Sequence, residues 1–189
     1  MILGILSDTH GQHRRTAAAL QMLRQLGAEA FVHCGDVGGA AVFELFAGLP
    51  TWFVWGNTDF PDETLQRYVA SLGITVPHSI PARIEVDGCS IAVYHGHEAQ
   101  FTRLTRQIEQ RNLTTFSELT AGWNYILFGH THRPADTRLD PVRLINPGAV
   151  QRARPPTVAT LDLARDALKF WVVDPHAPDG QQPRQFLPD

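Results

Sequence analysis

Seven side chains that can bind a metal ion stand in five short motifs of this 189-residue sequence. They are Asp8, His10, Asp36, Asn57, His95, His130 and His132. Carboxylate, amide and imidazole ligands without a thiolate suit first-row divalent metals of intermediate hardness. Because seven ligands are too many for one ion, the set favours two ions that share a carboxylate. Such metal pairs are typical of enzymes that hydrolyse esters at phosphorus.

Each motif directly follows an apolar run that is typical of a buried β-strand. The runs cover residues 1–7, 30–34, 51–55, 90–94 and 124–128. Because the carboxyl ends of parallel strands lie along one edge of a sheet, ligands from distant motifs can meet there. In extended backbone, residues i and i+2 project to the same side, so we expect Asp8 and His10 to face one ion. His130 and His132 share that spacing and can reach one ion or two neighbouring ions.

Asp36 is the predicted bridging ligand. It follows Gly35, which allows the backbone to turn, and its two oxygens can contact both ions. Gly-Asp and Gly-Asn are also common in ordinary turns, so neither Asp36 nor Asn57 indicates a metal site by itself. The joint occurrence of the motifs at successive strand ends is what predicts a dinuclear site.

Composition limits the class of protein. A net charge of −3 gives no basic footprint, so a nucleic acid duplex is not an expected partner. Two cysteines, Cys34 and Cys89, are too few for a disulfide framework and favour a reducing compartment. The sequence has neither a secretory signal pattern nor an apolar run of membrane-spanning length. We therefore expect a cytoplasmic protein with a small phosphoester substrate and no membrane partner. The sequence leaves open whether the chain forms a homo-oligomer.

Alternating strand and helix patterns open the chain and predict a parallel sheet with right-handed crossovers. The expected helices cover residues 14–26, 40–47, 61–72, 102–111 and 116–121. The later expected strands cover residues 82–86, 89–94, 142–145, 158–163 and 168–173. Asp87-Gly88 predicts a type I′ hairpin between two of them. The order indicates an α/β fold with two packed mixed sheets and outer helices, in one domain over 1–173. The Pro-, Gln- and Gly-rich segment 174–189 is expected to be a mobile tail.

The motifs resemble those of the calcineurin-like metallophosphoesterases, specifically their small single-domain phosphodiesterase branch. The segment Asn146-Pro147-Gly148-Ala149-Val150 is similar to that branch's Asn-Pro-Gly-Ser segment. The resemblance implies a four-layer sandwich. We expect two divalent ions, with manganese as the first choice and iron, zinc, nickel or cobalt as alternatives that the ligand types also suit. The resemblance implies a first ion held by Asp8, His10, Asp36 and His132. It implies a second ion held by Asp36, Asn57, His95 and His130.

The third motif departs from the family pattern at Thr58. Many members carry a histidine there that donates a proton or stabilises charge, and a threonine hydroxyl is too weakly acidic for proton donation at neutral pH. The expected substrate contacts are Asn57, Thr58, His97 and Arg152. His97 is equally well explained as a residue that orients His95, or as an ordinary loop residue. Solvation at the surface also explains Arg152.

The expected function is hydrolysis of a phosphoric ester, with a phosphodiester preferred over a phosphomonoester, by hydroxide that two metal ions make available. Asp59 and His33 are expected to make structural hydrogen bonds only. The alternative is a non-enzymatic interaction scaffold on the same fold, resembling the retromer subunit. The complete set of seven ligands favours the enzyme over the scaffold.

Overall fold

The computed structural model describes residues 1–174 and 183–188. The strands are β1 (Ile2–Leu6), β2 (Ala30–His33), β3 (Thr51–Phe53), β4 (Ala82–Val86), β5 (Cys89–Val93), β6 (Tyr125–Leu127), β7 (Pro134–Leu139), β8 (Val142–Pro147), β9 (Thr157–Asp162), β10 (Ala167–Val172) and β11 (Arg184–Phe186). The helices are α1 (His13–Gln25), α2 (Ala40–Phe43), α3 (Glu63–Ser71), α4 (Ala99–Glu109) and α5 (Leu113–Leu119), and a 3₁₀ turn (Glu44–Phe46) follows α2. Among these described helices, none is long and apolar enough to cross a membrane.

Two mixed sheets form the centre of the molecule. The first has the strand order β11-β10-β9-β1-β2-β3, and the second has the order β4-β5-β6-β8-β7. In the first sheet β1, β2 and β3 are parallel, as the opening pattern predicts. In the second sheet β5, β6 and β8 are parallel. Both sheets therefore present parallel strand ends from which loops can build a site.

An apolar layer between the sheets holds them together. Leu3 and Ile5 of the first sheet pack in one cluster with Ile91, Leu127 and Ile145 of the second, and all five are fully buried. Burying such a side chain contributes about 1.5–3 kcal/mol to folding. Helices α1, α2 and α3 cover the outer face of the first sheet through a second cluster, and α4 and α5 cover the second sheet through a third. The expected architecture of two packed sheets with outer helices is confirmed.

Local rules explain several of these elements. Helix α1 buries Thr16, Ala19, Leu20 and Leu23, which lie on one helical face at spacings of three and four. The hairpin of β4 and β5 turns at Asp87 and Gly88, whose φ angles of 51° and 75° are those of the predicted type I′ turn.

Two strands differ from the sequence prediction. The sequence predicts no element over Pro134–Leu139, whose Pro, Asp and Arg residues are unusual in strands, yet β7 forms an edge of the second sheet. Strand β11, Arg184–Phe186, lies within the segment that the sequence predicts to be a mobile tail and for which it predicts no strand. These residues pair with β10, and the ring of Phe186 packs on the cluster between the sheets. Pairing satisfies backbone groups of β10 that would otherwise form an open edge. The rest of that prediction falls largely on 175–182 and 189, outside the described residues.

Candidate metal centre

All seven predicted ligands lie in loops that follow strands at the same end of the two sheets. Loops after β1, β2 and β3 of the first sheet carry Asp8, His10, Asp36 and Asn57. Loops after β5 and β6 of the second sheet carry His95, His130 and His132. The loops contact one another: the backbone N–H of Asp8 donates to Gly35, and that of Gly129 donates to His95. Backbone hydrogen bonds between loops therefore fix the relative positions of the motifs.

A first group of ligand atoms comes from Asp8, His10 and His132, all within 4.8 Å of one another. Asp8 Oδ1 lies 3.1 Å from His132 Nε2 and 3.9 Å from His10 Nε2. Metal–ligand bonds of about 2.0–2.2 Å place neighbouring ligand atoms roughly 3 Å apart. This group therefore has the spacing of a coordination shell.

His10 provides the observation that tests this fit. Its Nε2 is buried without a hydrogen-bond partner among the described residues. Asp36 Oδ2 lies 3.7 Å away, too far for a hydrogen bond but at a distance that a shared cation would bridge. Burial lowers the pKa of His10, the carboxylate of Asp36 opposes that shift, and the positive charge of Arg152 adds to it. A neutral imidazole with a free nitrogen facing two carboxylates is the form that binds a metal.

A second group of ligand atoms comes from Asp8, Asp36 and His95. His95 Nδ1–H donates to the carbonyl of Cys34 at 2.7 Å, so Nε2 faces the centre. There it lies 3.5 Å from Asp36 Oδ2 and 3.0 Å from Asn57 Oδ1. Asp36 Oδ2 thus lies between histidines of the two groups, as a bridging ligand must. Asp8 also belongs to both groups. The resemblance, in contrast, implies Asp8 as a ligand of the first ion only.

Electrostatics keep Asp36 ionised. Burial raises the pKa of this carboxyl, but hydrogen bonds from His95 and from the backbone N–H of Thr58, at 2.8 Å, lower the pKa well below its usual range. Burial likewise lowers the pKa of His95, and its hydrogen bonds to Asp36 and Cys34 reverse that effect and raise the pKa. Asp36 is therefore a permanent negative charge between two imidazoles, which favours binding of a cation.

His130 and His132 lie in different parts of the centre, although they are only two residues apart in the chain. His132 joins the first group, whereas the ring of His130 stacks edge-on against His95 with centroids 5.1 Å apart. The backbone N–H of His130 donates to Asp8 Oδ2 at 3.1 Å. Burial lowers the pKa of His130, and the neighbouring His95 lowers it further. The ring of His97 lies 5.3 Å from that of His95 and 6.2 Å from that of His130, so His97 lies at the rim of the centre.

The backbone geometry of the motifs corrects the expectation of extended loops. Five of the seven predicted ligands have positive φ angles: Asp8 (54°), His10 (43°), Asp36 (53°), His130 (64°) and His132 (57°). The left-handed conformation costs a non-glycine residue about 1–2 kcal/mol. Tight left-handed turns, rather than alternation along a strand, therefore bring these side chains together. Such strain is typical of functional sites.

Three polar residues outside the predicted ligand set hold the ligands in place. Ser7 Oγ donates to Asp8 Oδ2 at 2.6 Å. Asn146 Nδ2 donates to the carbonyl of Gly129 at 2.8 Å and so supports the loop of His130 and His132. Glu98, which is 6% exposed, accepts from the backbone N–H groups of His95 and Gly96 at 2.7 and 2.8 Å. Their only signal in the sequence is their position beside or within a motif.

Asp59 and His33 make structural hydrogen bonds, as predicted. The carboxylate of Asp59 accepts from the backbone N–H groups of Val37 and Gly38 in the neighbouring loop and of Gly56 in its own loop. His33 Nδ1 accepts from the N–H of Gly35, so its Nε2–H donates to Thr9 Oγ1. Full burial lowers the pKa of His33 to about 3, which keeps this core imidazole neutral. Of the remaining predicted substrate contacts, Thr58 Oγ1 lies 3.4 Å from His10 Nδ1, and Arg152 is exposed and acts on the pKa of His10 through its charge.

Comparison with protein families decides the class of the protein. The model of the calcineurin-like phosphoesterase superfamily domain matches residues 1–166. The chain belongs to this superfamily. Its members are metal-dependent, in agreement with the two groups of ligand atoms.

Individual relatives agree over the whole domain. A phosphodiesterase of Methanocaldococcus jannaschii is 24% identical over 179 residues, which are 92% of this chain and 100% of that protein. The structure of an archaeal phosphodiesterase superposes with a TM-score of 0.74 at 22% identity, covering 91% of this chain and 99% of the other. Zinc-bound Vps29 of Entamoeba histolytica superposes with a TM-score of 0.60 at 15% identity, covering 98% of each chain. The two superpositions establish a shared metallophosphoesterase fold.

Proposed function

We propose that this member of the superfamily is a dinuclear metal-dependent phosphodiesterase. The observation that carries the proposal is Asp36 Oδ2, which lies 3.5 Å from Nε2 of His95 and 3.7 Å from Nε2 of His10. These histidines come from different sheets and different ligand groups, so an anion between them can serve two cations at once. The phosphodiesterase among the relatives supports the diester substrate.

The proposed ligands follow the division that the resemblance implies. The first ion is assigned to Asp8, His10, Asp36 and His132. The second ion is assigned to Asp36, Asn57, His95 and His130. Distances support every member except His130, whose ring contacts His95 but whose nitrogens fall outside both groups of ligand atoms. We propose manganese as the resident metal, since nitrogen and oxygen ligands without thiolate suit it.

When bound, divalent ions supply Lewis acidity, which makes hydroxide available near neutral pH and neutralises charge on phosphoryl oxygens. The chain supplies the permanent negative charge of Asp36 and the neutral amide oxygen of Asn57. His97 at the rim and the exposed Arg152 are the proposed contacts of the substrate phosphoryl group. Thr58 sits against His10 and cannot protonate a leaving group at neutral pH.

Turnover of two matched substrates tests the proposal. Metal-loaded protein should hydrolyse bis(4-nitrophenyl) phosphate with a higher kcat/KM than 4-nitrophenyl phosphate, and a chelator should abolish both activities. Asp36→Asn, which keeps the size of the side chain but removes its charge, should lower kcat/KM by about 100-fold or more. Monoester preference would contradict the diester assignment. If the metal-loaded protein hydrolyses neither substrate, the proposal that it is an enzyme is contradicted.

A non-enzymatic interaction scaffold is the second candidate, and the structural likeness to Vps29 is the observation that favours it. The same assay separates the two candidates, because a scaffold binds metal without turnover. We also propose a cytoplasmic location, which is supported by two cysteines that are both free thiols.

A further inference from the structure

Phe60 has the most exposed large apolar side chain among the described residues, at 86% of its accessible surface. It lies in the loop after β3, three residues beyond Asn57. Burial of a phenylalanine normally stabilises a fold, and most phenylalanines are at least partly buried. This ring therefore contributes little to folding, and its exposure beside the candidate metal centre calls for a functional reason.

The backbone on both sides of Phe60 is fixed. Before it, the carboxylate of Asp59 accepts from the N–H groups of Val37 at 3.1 Å, Gly38 at 2.9 Å and Gly56 at 2.9 Å. After it, the N–H of Asp62 donates to the Phe60 carbonyl at 3.1 Å. Asp62 in turn caps helix α3 by accepting from the N–H of Leu65 at 2.7 Å. An anchored loop thus presents an aromatic ring to solvent.

The ring is close to the centre along the chain. Thr58 contacts both groups of ligands, because its N–H donates to Asp36 at 2.8 Å and its Oγ1 lies 3.4 Å from His10 Nδ1. Two residues of chain span at most about 7 Å, so the Cα of Phe60 is within about 7 Å of that of Thr58. A substituent on a phosphoryl group held at the centre extends over a comparable distance.

We propose that Phe60 is a stacking surface for a planar aromatic group of the phosphoester substrate, either an aryl ring or a nucleobase. Aromatic faces stack on one another with little dependence on ring identity, so one phenylalanine serves both. The inference rests on the proposed function and adds the substrate class to it. Phe60 then determines specificity, while hydrolysis itself depends on the metal ligands.

Binding of matched ligand pairs to the metal-loaded protein tests this inference without turnover. The first pair is phenylphosphonate and methylphosphonate, and the second is adenosine 5′-monophosphate and ribose 5-phosphate. Calorimetry should give the aromatic member of a pair a Kd that is about threefold to tenfold lower. Phe60→Ala should bring the ratio of the two Kd values close to one, and Phe60→Tyr should retain it. Leu113→Ala, at an exposed apolar residue of α5, is the matched control and should leave the ratio unchanged.

Tighter binding of the aromatic member in one pair alone supports the stacking surface. A preference in the phosphonate pair identifies the stacked group as an aryl ring, and a preference in the nucleotide pair identifies it as a nucleobase. Equal Kd values within both pairs for the wild type, or a preference that survives Phe60→Ala, would overturn the role of Phe60 and leave the proposed function standing. If the metal-loaded wild type binds no member of either pair but hydrolyses the diester, the role of Phe60 is overturned and the proposed function stands. If it neither binds these ligands nor hydrolyses the diester, both fail.

Discussion

Replacement of Glu98 by glutamine should weaken metal binding at the candidate centre. The Glu98 side chain is 4% exposed and accepts from the backbone N–H groups of His95 and Gly96. Glutamine keeps the size but offers only one acceptor atom, so its NH₂ group must face one of these two N–H donors. One of these N–H groups, which is buried at His95 and partly buried at Gly96, then loses a hydrogen bond to a charged group, at a cost of about 1.5–3 kcal/mol.

The loss falls on the loop that carries a proposed ligand of the second ion. If the full 1.5–3 kcal/mol appears in the binding of that ion, its Kd rises about 10- to 100-fold, which is also the usual effect of removing a partner that orients a ligand. Calorimetric titration of metal-free protein with Mn²⁺ measures both sites. The Kd of the first site, whose assigned ligands all lie in other loops, should change less than that of the second.

Glu109→Gln is the matched control. Glu98 directly precedes helix α4, and Glu109 is the last residue of that helix and is exposed. It should leave both Kd values unchanged. Thermal unfolding of the metal-free proteins separates a general loss of stability from an effect on the centre. If Glu98→Gln binds two ions with wild-type Kd values, Glu98 does not position His95 and the reasoning is wrong.

Three further predictions concern other parts of the molecule. Asp36→Asn should lower kcat more than Asn57→Ala, because it removes a charge shared by two cations rather than one neutral ligand; kinetics at saturating metal check the ranking, and equal losses would contradict it. Because Thr58 cannot donate a proton, hydrolysis rates of diesters should fall steeply as the pKa of the leaving alcohol rises. For poor leaving groups the rate should be about 10²–10⁴-fold below that of an enzyme with a general acid. Equal rates across a series of leaving groups, with chemistry rate-limiting, would reveal another proton donor. Phe186→Ser should destabilise the fold by about 1–2 kcal/mol through loss of the ring from the cluster between the sheets. Thermal unfolding measures this loss, and an unchanged melting temperature together with unchanged turnover would mean that β11 is dispensable.

The general fold was predictable because its signals are local. Apolar runs of strand length that alternate with amphipathic helices predicted the parallel strands, and Asp87-Gly88 predicted the hairpin turn. Strand β7 was missed because an edge strand needs no apolar alternation, and β11 was missed because its three residues are held by pairing with β10 rather than by composition. Tertiary pairing overrides local preference in both cases.

Residue types and strand ends predicted side chains that the fold brings close together, but they did not predict the geometry of the candidate site. The left-handed turns at Asp8 and His132 depend on contacts between loops that no spacing reveals. Glu98 could not be recognised, since a buried glutamate that binds backbone N–H groups looks in the sequence like any residue that begins a helix.

The metal content of the protein tests the central claim most directly. Elemental analysis of gently purified, Mn²⁺-saturated protein after removal of free metal should give two ions per chain for the wild type. Asp36→Asn, which removes the charge between His10 and His95, should give a lower value under the same conditions. A reproducible value of one ion per chain in the wild type, unchanged by added metal, would contradict the dinuclear centre.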